Sequence, residues 1–141
     1  MNKIIKITIK GESGYGPGDK AYHDRIIIER DSIRYEYNPI IESEANTARK
    51  WSYKTTNPTF KKRFTDVAVA VEKILNWKDI PFCTDVGYTS FMVIYADKTK
   101  CSRGFFLPRD DFKECFSIIK KMVPGCEHMP TTLLTSEDYE E

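Results

Sequence analysis

The sequence predicts a single α+β domain: an antiparallel sheet of about six strands with two helices packed on one face, in the order β-β-β-β-α-β-β-α. Three observations carry that expectation. Short segments in which apolar residues alternate with polar ones fill much of the first third of the chain. Two other segments, 60–75 and 112–123, repeat apolar residues at helical spacing. Strands also come in runs before each helix, the segregated order of α+β domains. A chain of 141 residues, 40% hydrophobic and 30% charged, can bury a core without disulfide or metal staples and is not compositionally disordered.

The first strand is KIIKITIK, residues 3–10, with Ile5, Ile7 and Ile9 opposite Lys6, Thr8 and Lys10. A glycine cluster follows, GESGYGPGDK at 11–20. Gly11 and Gly16 have phosphate-loop spacing, but Pro17 occupies the position that needs lysine, and DRIIIER follows where a helix should begin. The cluster therefore reads as a connection that turns the chain, with anion binding through its amides and Lys20 as the residual alternative. Strands are expected at 24–30 and 33–37, joined by a tight turn, and at KWSYKT (50–55). The first helix should be capped by Thr56 or Asn57, start with Pro58, and bury Phe60, Phe64, Val67, Val71, Ile74 and Leu75 before ending near Trp77. YTSFMVIYAD and CSRGFFL then form a hairpin turning through 97–99. The second helix starts near Asp110, turns Phe112, Phe116, Ile119 and Val123 inward, and stops at Pro124-Gly125.

Residues 1–126 are expected to form the domain and 127–141 an acidic tail. All 22 Lys and Arg precede residue 122, against 16 of the 21 acidic residues before 127, so the body carries +6 and the tail −5. FKKRFTDV and FKECFSII share a pattern that suggests an internal strand-strand-helix duplication, 24–77 and 86–124. The N-terminal segment lacks the continuous apolar stretch of a signal peptide or spanning helix, which points to the cytosol, no membrane, and reduced cysteines.

Ile26, Ile27 and Ile28 are consecutive, and 91–95 are apolar on both sides of the pleat. One-sided sheets alternate, so these runs imply a second covering layer or an exposed apolar patch. The 38–48 loop and the segment with Leu133 and Leu134 are the coverings available within the chain. The leading functional expectation is accordingly a non-catalytic cytosolic binding module, of adaptor or inhibitor type. It would act through an apolar sheet face, on a protein partner or as a homodimer, at Ile27, Phe91, Val93 and Tyr95. The alternative is nucleic-acid binding through Lys6, Lys10, Lys61, Lys62 and Arg63. A third reading, a small enzyme, would use His23, Asp24 and a cysteine such as Cys83, but no local catalytic signature supports it. Cys126 and His128 are the nearest approach to metal ligands. They make one loose pair where a structural site needs two, so neither a metal nor a cofactor is expected.

Overall fold

The computed structural model describes residues 3–12, 22–40, 47–78, 87–107, 109–125, 127 and 129–134. Among them are six strands: β1 (Ile4–Glu12), β2 (Tyr22–Glu29), β3 (Ser32–Pro39), β4 (Arg49–Lys54), β5 (Tyr88–Tyr95) and β6 (Lys100–Phe105). The α-helices are α1 (Pro58–Leu75) and α2 (Lys113–Lys120), with 3-10 turns at Arg109–Phe112 and Thr131–Leu133. The strands form one sheet in the order β4-β3-β2-β1-β5-β6, and every neighbouring pair is antiparallel. The chain therefore has the α+β architecture and element order that its alternation predicts.

β1 is central because it pairs on both sides. Ile7 lies opposite Ile28 on one flank and Val93 on the other, and Ile9 lies opposite Ile26 and Phe91. Since successive side chains take opposite faces, the register fixes which residues meet. One face carries three rows across the sheet: Tyr53, Ile33, Ile28, Ile7, Val93 and Cys101; Trp51, Tyr35, Ile26, Ile9, Phe91 and Arg103; and Arg49, Tyr37, Asp24, Gly11, Thr89 and Phe105.

Both helices supply apolar residues to that face. α1 begins as expected: Asn57 Oδ1 accepts the Thr59 N–H at 2.8 Å, Pro58 sits in the first turn, and Phe60, Phe64, Val67, Val71 and Ile74 are buried. Its far end is held by Arg103 of β6, which donates to the carbonyls of Leu75 (3.3 Å) and Trp77 (2.6 Å), groups that helix ends leave without intrahelical partners. α2 is shorter than its periodicity predicts. Residues 109–112 form a 3-10 turn, and Lys121 and Met122 close i→i+3 bonds to Ile118 and Ile119. With no side-chain cap on α2, tight turns take up backbone groups at both ends. The inward stripe survives: Phe112, Cys115, Phe116, Ile119 and Met122 are buried. Phe91 meets Phe105, Phe112 and Phe116 at centroid distances of 6.1, 5.0 and 6.4 Å, and Trp77 stacks on Phe112. Arg63 ties the helices together by donating to the Lys121 carbonyl at 2.8 Å.

The compact body extends beyond residue 126. Thr132 and Leu133, in the compositionally acidic tail, are fully buried on the helix-bearing side, beside β1 and α2. Leu133 thus completes the covered face and not the opposite one, correcting the expected role of that segment. Each sheet edge is a hairpin followed by a helix, β3-β4-α1 and β5-β6-α2.

Candidate interaction surface

The opposite face of the sheet follows from the same register. Its central row is Ser52, Arg34, Ile27, Thr8, Met92 and Ser102. Flanking it are Lys50, Glu36, Arg25, Lys10, Ser90 and Gly104 on one side, and Lys54, Ser32, Glu29, Lys6, Ile94 and Lys100 on the other. Asn38, His23, Glu12 and Tyr88 line one end. Neither helix lies on this side. Ile27, Met92 and Ile94 remain partly exposed, forming an apolar patch around the buried Thr8.

Charge on this face is unbalanced. Lys6, Lys10, Arg25, Arg34, Lys50, Lys54 and Lys100 oppose Glu12, Glu29 and Glu36, seven positive against three negative. Arg25 pairs with Glu36 across the strands, with both side chains about two-fifths exposed, so the pair adds little to stability and mainly orders the surface. Three shallow depressions open on this side. One, 380 Å³, lies among Thr8, Lys10, Tyr88, Ser90, Met92 and Ser102. There Tyr88 lies across Gly104, where any β-carbon would overlap its ring. A second, 350 Å³, lies among Lys10, Glu12, His23, Arg25, Glu36 and Asn38. The third, 550 Å³, is at the corner formed by Ile5, Lys6, Glu29, Arg30, Lys61 and Ile94.

The four residues expected at an interaction face separate. Ile27 is on the open face. Phe91 and Val93 are fully buried beneath the helices, and Tyr95 shares their side of the strand, its phenol raised by burial and then by Glu72 of α1. An interface at Phe91 and Val93 would require the helices to leave. The partly exposed residues of this strand are Tyr88, Ser90, Met92 and Ile94 on the open face, and Tyr95 at its end on the other. The five basic candidates separate too. Lys6 and Lys10 are on the open face and Lys61 reaches its corner. Lys62 is exposed on α1, and Arg63 is engaged in holding α2.

The other candidate chemistry does not assemble among the described residues. His23 is exposed on the open face while Asp24 is buried on the other, as strand neighbours must be. Cys115 is buried against the sheet, and burial pushes its thiol up to about 12, the reverse of an activated nucleophile. Cys101 is exposed on the edge strand. No three His, Cys, Asp or Glu side chains among the described residues converge as metal ligands. Cys83, Cys126, His128 and the glycine cluster from residue 13 to Lys20 lie outside the described residues. Gly11 itself belongs to β1. A β-carbon there would overlap Thr132 Oγ1 and stand 2.6 Å from Asp24 Oδ1, so glycine is needed for close approach and not for a turn.

The sequence reading missed a buried polar cluster. Tyr35 Oη donates to Asp24 Oδ2 at 2.8 Å, the Thr132 amide donates to the same oxygen at 3.0 Å, and the Thr131 amide donates to Tyr35 Oη at 3.1 Å. Burial and the Asp24 charge raise the Tyr35 phenol well above its usual value. The available signal was Asp24 falling in phase with Ile26 and Ile28. No helix among the described residues is long and apolar enough to cross a membrane. No protein-family model matches the chain, and no curated protein matches it in sequence.

Proposed function

We propose that the protein is a non-catalytic binding module whose working surface is the open face of the sheet and whose partner is a protein presenting an acidic surface. The observation that carries this reading is the surplus of four positive charges surrounding Ile27, Met92 and Ile94. An apolar centre with a charged rim is the usual anatomy of a protein interface, and the sign of the rim selects the partner. A two-fold homodimer through this face would oppose like charges, so a heterologous acidic partner fits better than a second copy. Edge-to-edge association is also disfavoured, because both edge strands carry lysines, Lys50 and Lys54 on β4 and Lys100 on β6. A cytosolic location, with its cysteines reduced, belongs to the same proposal.

Nucleic acid is the second reading, favoured by Lys6 and Lys10 sharing the open face. Single-strand binders also present aromatic rings on such a sheet. Here Tyr35, Tyr37 and Phe91 face the helices, while Tyr88 and Phe106 pack on each other, 4.8 Å apart, at one corner.

Display selection of random peptides on the full chain separates the readings. Enrichment of Asp- and Glu-rich peptides containing aliphatic or aromatic residues is expected, with binding weakened about ten-fold by Ile27→Asp or Met92→Asp. Failure to bind any acidic peptide, together with salt-sensitive binding of a mixed oligonucleotide, would replace the protein reading with the nucleic-acid one.

A further inference from the structure

The corner depression differs from the rest of the open face. β1 and β5 change register between Ile4 and Lys6, a bulge that brings Ile5 to the surface, 43% exposed, although its neighbours Ile4 and Ile7 are buried. Ile5 and Ile94 form an apolar floor, and three cations from separate elements surround it: Lys6 from β1, Arg30 from the β2–β3 turn and Lys61 from α1. Their supports are fixed, since the Thr55 amide donates to the Asp31 carbonyl at 2.8 Å and holds the start of α1 against that turn. Glu29 and Asp31 also reach the depression. Even so, among the described residues none of the three cations is in a salt bridge, whereas Arg25 on the same face is paired with Glu36. The corner thus combines exposed aliphatic surface with uncommitted positive charge on rigid elements, the arrangement expected of an anchor pocket and not of a merely solvated rim.

We propose that this corner is the anchor point of the docking surface. An aliphatic or aromatic side chain of the acidic partner enters over Ile5 and Ile94, and Lys6, Arg30 and Lys61 receive carboxylates that flank it. The inference rests on the open face being a protein-docking surface. It adds where the partner is gripped and by what sequence chemistry: one apolar residue bracketed by Asp or Glu.

The test uses an acidic peptide recovered by display selection on the full chain, titrated into wild-type protein and variants whose circular dichroism matches the wild type. Lys6→Glu and Lys61→Glu are each expected to weaken binding about ten-fold or more, and Ile5→Ser by a similar factor. Lys50→Glu, at the far edge of the same face, should change it less than about two-fold. If a charge reversal disturbs the fold, Lys6→Gln and Lys61→Gln take its place, with a loss of about three-fold expected. If the peptide binds but responds to Lys50→Glu and Arg34→Glu and not to Lys6 or Lys61 variants, the anchor is wrongly placed while the open-face reading stands. If no acidic peptide binds, the reading and the anchor fall together.

Discussion

Asp24 carries a carboxylate into the covered face, 2% exposed, in a column with Tyr22, Ile26 and Ile28. A buried charge is tolerable only when hydrogen bonds replace water. Here the replacements are the Tyr35 hydroxyl and the Thr132 amide, and Tyr35 in turn accepts from Thr131. The cluster therefore fastens the C-terminal turn to the sheet. The oddity of an aspartate in phase with Ile26 and Ile28 was legible in the sequence, but its partner 108 residues away was not. Gly11 was legible as a glycine and illegible as the gap that lets Thr132 approach. Tyr35→Phe removes one donor and one acceptor, and is expected to cost about 1–3 kcal/mol in urea unfolding at neutral pH. The pH dependence has a definite sign. Folding holds the Tyr35 proton more tightly, so the stabilisation is complete below the usual phenol value of 10 and is lost as pH rises above it. Tyr35→Phe should flatten that alkaline decline relative to wild type. Parallel curves for the two proteins would show that the phenol contributes nothing to it.

At the scale of elements, β5 shows most directly what can be read from a sequence. Its apolar run announces burial on both sides of the pleat but not which side meets the helices. Phe91-Val93 and Met92-Ile94 are equally apolar alternatives. The decision comes from pairing: Ile7 and Ile9 of the alternating strand β1 stand opposite Val93 and Phe91, which places those two in the core. Nothing local says that β1 pairs with β5 across more than 70 intervening residues, so the strands were legible and the residues of each face were not. α1 was legible almost to the residue because Asn57, Pro58 and an unbroken apolar stripe agree. α2 was not, because periodicity continues through the 3-10 turns at its ends. Two substitutions at adjacent positions test the assignment of faces. Val93→Asp buries a charge without a partner and should unfold the protein or lower its stability by more than about 4 kcal/mol. Met92→Asp, on the open face, should stay within about 1 kcal/mol of wild type and leave the far-ultraviolet spectrum unchanged. Equal damage from both would mean that the second face is also covered.

Taken whole, the molecule is a two-layer structure with unequal faces. One side of the sheet is closed by α1, α2 and the Thr131–Leu133 turn. The other presents seven cations, three carboxylates and a partly exposed aliphatic patch. The net charge of +1 conceals this polarity, since the tail's −5 offsets the body's +6. Composition therefore pointed to no partner, whereas the register collects basic residues from five strands onto one surface. The most direct measurement is a backbone amide NMR titration of the full chain with an acidic peptide from display selection. Shift changes confined to open-face residues, centred on Lys6, Lys10, Ile27, Met92 and Ile94, are the predicted result. Changes centred on the outer surfaces of α1 and α2, with the open face silent, would contradict the assignment of the working surface.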